Sequence, residues 1–255
     1  MRLILHFVIS FIAGILFFSC ETDDRFNTPL TIVTPLPDDE DSNDNPDDEN
    51  TLETIQILSL GDSYTAGTGV CDTCSYPEQL KDSLLQNLND VNAINLNVIA
   101  SAGWTTTSLL NTVNSVAVSY YYDVVTLLIG VNNQFQGVPF ERFEEEFNSL
   151  IERATLEARN DVSNLVVLSI PDYAYTPFGQ SYGNPLITSE EIDQYNQYIA
   201  NYCEENSITF VDITDISREG LDNPNIVAND NLHLSEYAYS LIVERILPIV
   251  MDKLN

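Results

Sequence analysis

The chain has few basic residues: nine lysines and arginines stand against 39 aspartates and glutamates among 255 residues, a formal net charge of −30 at pH 7. So acidic a surface repels polyanions, and nucleic acid is therefore not an expected partner. Solubility alone would explain the charge equally well, so the acidity identifies no ligand. Histidine is scarcer still, with two residues in the chain, which restricts any mechanism that needs an imidazole base.

Cysteine is also scarce, and the four residues are Cys20, Cys71, Cys74 and Cys203. The C-x-x-C pair of Cys71 and Cys74 has no second pair to complete a four-ligand zinc site. Nor does it open a helix after a strand, as a thioredoxin-like redox motif would. In an oxidising compartment we predict a disulfide between Cys71 and Cys74, and a buried structural thiol at Cys203.

The first residues have the pattern of an export signal. Arg2 precedes an apolar run over residues 3–18 that is too short for a spanning helix. The run ends in LFFSC at 16–20, which resembles a bacterial lipobox. We predict a lipoprotein signal peptide over residues 1–19 and lipidation of Cys20; an ordinary signal peptide with a chance cysteine is the alternative. The expected location is exported and membrane-anchored, on the periplasmic face or cell surface, with the outer membrane favoured.

Residues 20–50 have the composition of a tether. Between residues 21 and 50 lie 11 acidic residues and one basic residue, with several prolines. Such a segment cannot bury enough apolar surface to offset its chain entropy, and its charges repel one another. We predict a disordered, extended linker here and one folded domain over residues 51–255.

The folded region alternates apolar runs with helical patterns. Continuous apolar runs are typical of strands buried on both faces of a parallel sheet. The alternation predicts an α/β fold with a doubly wound sheet and helices on both faces. The predicted strands are Ile55–Leu60, Leu96–Ala100, Val124–Ile129, Leu165–Ile170 and Ile208–Ile213.

Local signals also predict helix ends. Pro139 is expected to open a helix with one apolar face, and Thr188 to begin a capping box before the next long helix. Ser235 is expected to cap the last helix, and Pro248 to kink or end it.

Polar residues follow the first three predicted strands. Ser63 lies on a tight turn after the first strand, Gly103 follows the second, and Asn132 follows the third. Ligands of such sheets bind outside the carboxyl ends of the strands. A glycine there admits a backbone N–H to a reacting oxygen, and an asparagine amide adds a further donor.

One histidine is available as a base. His6 lies in the predicted signal peptide, so a serine mechanism near neutral pH would have to use His233. Asp230 stands three residues earlier, where its carboxylate can fix the tautomer of the imidazole.

Together these blocks resemble the SGNH hydrolase (GDSL-like lipase/esterase) family. GDSYTAG at 61–67, Gly103, GVNN at 130–133 and DNLH at 230–233 are similar to the four blocks of that family, in its order. The resemblance covers nearly all of residues 54–247. It implies a three-layer α/β/α sandwich with a flavodoxin-like, parallel five-stranded sheet, and a serine esterase that needs no metal or organic cofactor.

The resemblance also implies a role for each matching residue. Ser63 would be the nucleophile, His233 the general base and acid, and Asp230 the residue that orients His233. The oxyanion hole would be formed by the N–H groups of Ser63 and Gly103 and by the side-chain amide of Asn132.

The chain departs from the family pattern at one position. Asn133 stands where an aspartate usually ends the G-x-N-D block. The oxyanion donor Asn132 is retained, so activity is expected to survive.

The substrate stays open within the acyl esters. Acetylated glycans and lipid or lysophospholipid esters are both compatible with the family. The aromatic residues after the fourth strand, Tyr173, Tyr175, Phe178 and Tyr182, would either line an acyl or sugar pocket or pack their own loop down. An acyltransferase on the same fold and a catalytically silent surface lipoprotein that binds a ligand are the alternatives. A monomer is favoured.

Overall fold

The computed structural model describes residues 53–89, 91–116 and 121–254. The predicted signal peptide (1–19), the lipidation site Cys20 and the tether up to residue 50 lie outside these ranges. No helix within the described ranges is long and apolar enough to cross a membrane.

The centre of the fold is a five-stranded sheet in which every neighbouring pair is parallel. The strand order is β2-β1-β3-β4-β5, the flavodoxin-like order of a doubly wound sheet. The predicted α/β fold with a parallel five-stranded sheet is therefore confirmed. The strands are β1 (Glu53–Gly61), β2 (Val91–Ala100), β3 (Val124–Leu128), β4 (Leu165–Leu168) and β5 (Thr209–Val211).

Helices connect the strands and cover both faces of the sheet. They are α1 (Ser63–Ala66), α2 (Tyr76–Asn87), α3 (Thr106–Ser115), α4 (Val131–Phe135), α5 (Phe140–Glu157), α6 (Pro177–Ser181), α7 (Pro185–Glu205), α8 (Thr214–Arg218) and α9 (Glu236–Leu254). Helices α2 and α9 pack together on one face, and α3, α5 and α7 lie on the other. Right-handed crossovers in this strand order place the helices in this way.

The sequence explains which strands are buried. β3 and β4 are buried at every position, as their continuous apolar runs predict. β2 differs from the prediction: it begins at Val91 and, of its ten residues, only Ile94 is buried. It lies at the edge of the sheet, and its alternating N-A-I-N-L-N sequence fits an edge strand with one face largely open to solvent.

One of the predicted helix signals is wrong, and one of the two effects predicted for Pro248 is not found. α7 begins at Pro185 after Asn184, whose Oδ1 accepts the N–H of Leu186 at 3.1 Å, so Thr188 lies inside the helix and caps nothing. An asparagine followed by proline is the stronger start signal here. Pro248 does not end α9, which continues to Leu254, because buried apolar residues on both sides of the proline keep the helix packed on the core.

The other two helix signals are confirmed. α5 begins directly after Pro139 and buries Phe143, Phe147 and neighbouring apolar residues on one face. The hydroxyl of Ser235 accepts the N–H of Ala238 at 3.1 Å in the first turn of α9.

Candidate active site

The sheet brings three of the predicted site segments to one edge. Gly61, the last residue of β1, pairs with Ala100 on β2 and Leu128 on β3, so the three strands end at the same level. Ser63, Gly103 and Asn132 come just after these ends. A β-carbon at Gly61 would lie 2.4 Å from the carbonyl oxygen of Leu128, which explains why glycine ends β1.

Ser63 is the first residue of α1 and is buried. Asp62 caps this short helix, because its Oδ1 accepts the N–H of Tyr64 at 3.0 Å. The other oxygen of Asp62 is buried and has no hydrogen-bond partner within the described residues. Burial raises the pKa of Asp62 to about 7, while the backbone N–H groups of Tyr64 and Asp62 lower it in part.

His233 and Asp230 form the closest polar contact of the site. His233 Nδ1 lies 2.6 Å from Asp230 Oδ2, and Asp230 Oδ1 accepts the backbone N–H groups of Leu232 and His233 at 2.9 Å each. Burial alone would raise the pKa of Asp230, but these hydrogen bonds lower it below its usual value. A carboxylate at Nδ1 favours the tautomer with the proton on Nδ1, which leaves Nε2 as the basic nitrogen.

A small pocket lies between Ser63 and His233. Its volume is about 70 Å³, and its lining residues are Ser63, Tyr64, Val131, Asn132, Phe135, Tyr173, Leu232 and His233. In the described structure the Ser63 hydroxyl makes no hydrogen bond to His233. In enzymes without substrate such bonds are often long and shorten when substrate binds.

Two of the predicted oxyanion donors, Asn132 and Gly103, lie on adjoining segments. Asn132 Nδ2 donates one hydrogen to the carbonyl oxygen of Trp104 at 3.0 Å, which leaves its second amide hydrogen. Gly103 adopts φ +80°, a conformation that favours glycine. Gly103 does not line the pocket; its carbonyl oxygen accepts a hydrogen bond from Gln136 Nε2 at 2.9 Å.

Asn133, the departure from the family pattern, is buried. Its Oδ1 accepts the N–H of Thr106 at 2.9 Å, and its Nδ2 donates to Thr106 Oγ1 at 2.7 Å. The amide therefore joins α4 to the start of α3.

The loop after α1 lies behind Asp230. Cys71 and Cys74 form the predicted disulfide in this loop. Cys203 is buried as expected, and burial raises the pKa of its thiol to about 12.

The aromatic residues after β4 divide between the two predicted roles. Tyr173 lines the pocket, and its hydroxyl donates to Gln134 Oε1 at 2.9 Å. Phe178 and Tyr182 stack on each other and contact Phe135 at the mouth of the pocket. Tyr175 packs the loop instead, beneath the guanidinium of Arg218.

Three residues of the site were missed at the sequence level: Phe135, Gln136 and Gly69. Gln136 follows Asn132 by four positions, a helical spacing that would have suggested a shared face. Gly69 extends the glycine-rich nucleophile block. Phe135 carries no signal of its own, since an aromatic residue at the end of a short helix is as often packed inside.

Most of the chain, including every residue of the candidate site, matches known proteins. Residues 59–241 match the model of the GDSL-like lipase/acylhydrolase family. The chain is 25% identical over 240 residues to the uncharacterized protein YpmR of Bacillus subtilis, covering 85% of this chain and 89% of that protein.

Solved structures show the same fold. The crystal structure of TesA superposes with a TM-score of 0.61 at 14% identity, covering 78% of this chain and 99% of that one. The psychrotrophic esterase EstA from Pseudoalteromonas sp., solved with monoethylphosphonate as inhibitor, has a TM-score of 0.58 at 19% identity over 78% and 98% of the two chains. The chain therefore belongs to the GDSL-like lipase/acylhydrolase family and is a carboxylic ester hydrolase.

Proposed function

We propose that the chain hydrolyses short-chain acyl esters through a triad of Ser63, His233 and Asp230. The observation that carries this proposal is the 2.6 Å contact between His233 Nδ1 and Asp230 Oδ2, with His233 and Ser63 on the wall of one pocket. Asn132 lines the same pocket, so a nucleophile, a base and an amide donor converge on one small volume.

The proposed reaction has two halves. His233 Nε2 takes the proton of Ser63 Oγ as that oxygen attacks the acyl carbon, and Asp230 stabilises the imidazolium that forms. The proton then passes to the leaving alcohol as its C–O bond breaks, which leaves an acyl-serine. Water repeats the sequence, with His233 again as base, and releases the acid and free Ser63.

The developing oxyanion would be held by the N–H groups of Ser63 and Gly103 and by the second amide hydrogen of Asn132. Loss of one such donor typically costs about 2.7–4 kcal/mol of transition-state stabilisation. The bond from Asn132 to Trp104 supports this role, because it fixes the amide plane before substrate arrives.

The size and lining of the pocket favour a short, uncharged acyl group. Its volume of about 70 Å³ is about half that of a cavity that admits benzene, roughly 150 Å³. Val131, Phe135, Tyr173 and Leu232 give it a mainly apolar wall. We therefore favour acetyl to butyryl esters, which include acetylated glycans, over esters of long fatty acids.

The triad is tested on the full chain with p-nitrophenyl esters from acetate to laurate. We expect the highest kcat/KM at two to four carbons, and a fall of about 10³-fold or more in kcat for Ser63→Ala and for His233→Ala with melting temperature unchanged. A wild type that hydrolyses none of these esters and is not labelled by a fluorophosphonate would contradict the proposal and favour a binding role. Transfer of the acyl group to an added sugar or alcohol, in preference to water, would identify an acyltransferase.

We further propose that Cys20 anchors the enzyme to a membrane by a lipid. The lipobox-like LFFSC and the acidic residues that follow it support this placement, as an extended tether would hold the domain away from the bilayer. In a bacterial host we expect wild type in the membrane fraction, labelled by radioactive palmitate, and Cys20→Ala unlabelled. Equal labelling of both proteins would contradict the anchor.

A further inference from the structure

Helix α4 and the residue after it hold the loop that carries Gly103. Gln136 Nε2 donates to the carbonyl oxygen of Gly103 at 2.9 Å, and Asn132 Nδ2 donates to that of Trp104 at 3.0 Å. Asn133 bonds both the N–H and the hydroxyl of Thr106. Side chains of one segment, residues 132–136, therefore bind the backbone of Gly103, Trp104 and Thr106.

The bond between Asn133 and Thr106 has a fixed direction. The amide of Asn133 accepts from the Thr106 N–H, which is an otherwise unpaired donor at the start of α3. The same amide donates to Thr106 Oγ1. Both residues are fully buried, so neither can exchange its partner for water at low cost.

The direction is set by Glu146 on α5. The single hydroxyl hydrogen of Thr106 goes to Glu146 Oε2 at 2.6 Å, and the Thr107 hydroxyl donates to the same carboxylate at 2.7 and 2.8 Å. Thr106 Oγ1 can therefore only accept from position 133, and a carboxylate there has no hydrogen to give. An aspartate at 133 would also bring a second negative charge close to Glu146.

We propose that Asn133 and Glu146 are a matched pair of positioning residues that holds the Gly103 loop for oxyanion binding. The carboxylate of this hydrogen-bond network comes from Glu146 on α5, and the amide at 133 is its required complement. The inference rests on the proposed role of Gly103. It predicts that the residue usual in the family is harmful here.

The pair is tested by a double-mutant cycle on the full chain with Asn133→Asp, Glu146→Gln and both together. In the double variant the amide introduced by Glu146→Gln can donate to Thr106 Oγ1, which frees the hydroxyl hydrogen for the aspartate. We expect Asn133→Asp to lower kcat at least about tenfold with KM within about twofold, because a displaced donor weakens the transition state and not substrate binding. The double variant should recover most of that loss. Glu145→Gln, an exposed neighbour on α5, is the matched control and should match wild type.

The inference is overturned if Asn133→Asp has a kcat within about twofold of wild type, or if the double variant is no better than the product of the single effects. Melting temperatures of the four proteins give a second cycle. If Ser63→Ala leaves turnover unchanged, the proposed function fails. The melting temperatures then test the pairing alone: if the two single substitutions change the melting temperature additively in the double variant, the pairing is overturned. If Asn133→Asp does not fold, the inference requires that adding Glu146→Gln restores folding.

Discussion

Gly69 lies directly against the carboxylate of Asp230. A β-carbon added to Gly69 would lie 2.8 Å from Asp230 Oδ2 and 3.2 Å from the β-carbon of Ala228. Asp230 Oδ2 is the atom that contacts His233 Nδ1. The loop after α1 therefore packs against Asp230, the residue that orients His233 in the proposed mechanism.

We predict that Gly69→Ala lowers kcat about tenfold or more. The added methyl group must displace the carboxylate from its 2.6 Å contact with His233, and small displacements of a catalytic group are costly. Gly69 also has φ +93°, so the variant carries backbone strain. Gly183→Ala is the control, because Gly183 has φ +66° and its β-carbon would meet nothing within 4 Å. Equal kinetics for the two variants would show that the contact with Asp230 is unimportant.

Reduction of the Cys71–Cys74 disulfide should also lower kcat. The disulfide constrains the loop that places Gly69 behind Asp230, and closing so short a loop contributes up to about 2 kcal/mol of stability. The expected result is a lower melting temperature and a lower kcat for Cys71→Ser/Cys74→Ser. Dithiothreitol should change wild type in the same direction and leave the double variant unchanged, since that variant has no Cys71–Cys74 disulfide to reduce. If the kcat of wild type does not change when the Cys71–Cys74 disulfide is fully reduced, the proposed connection between the disulfide and Asp230 is contradicted.

The placement of Ser63, Asn132 and His233 in one pocket could be predicted from the sequence. Parallel strands bring their carboxyl ends to one edge of the sheet, so residues just after the apolar runs meet there, and this does not depend on the conformation of the loops. Asp230 followed from its spacing to His233. These inferences need the topology and no side-chain detail.

The contacts of Gly69, Gln136 and Glu146 could not be predicted in this way. Each depends on how a loop or helix face packs against a segment distant in sequence. The predicted start of α7 is wrong for a related reason. Two capping signals, Asn184 and Thr188, lie four residues apart, and the local sequence does not decide which of them begins the helix. The sequence shows Asn133 as a departure from the family pattern, but its partner Glu146 is identified only by the packing of α5.

Phe135→Ala should shift the acyl-chain preference toward longer esters. The Phe135 ring forms part of the pocket wall and stacks on Tyr182 with ring centroids 5.1 Å apart. Its removal opens the small pocket toward the exposed aromatic residues at the mouth. We expect the ratio of kcat/KM for octanoate over acetate to rise about tenfold in the p-nitrophenyl series. Tyr182→Ala, which removes the stacking partner but no pocket wall, should change the ratio much less. An unchanged profile in Phe135→Ala would place the acyl group elsewhere.

Asp62 should make the stability of the protein depend on pH. Its pKa is raised from 3.8 to about 7, first because the carboxyl is buried, and its backbone hydrogen bonds offset only part of that effect. Between about pH 4 and pH 7 the folded protein therefore keeps a proton that the unfolded chain has released. The stability contributed by this proton is complete below about pH 4 and is lost as the pH rises to about 7.

The variant Asp62→Asn isolates this effect, because it keeps an oxygen to cap α1 and has no proton to release. Urea unfolding at a series of pH values should show the free energy of unfolding of the variant rising relative to wild type from pH 4 to pH 7, by up to the order of 4 kcal/mol, and levelling above that. Asp215→Asn provides a control of opposite sign. The hydrogen bond from Arg245 lowers the pKa of Asp215, so the advantage of wild type over that variant should be lost as the pH falls. A difference between Asp62→Asn and wild type that does not change with pH would show that Asp62 is ionised in the folded protein across this range.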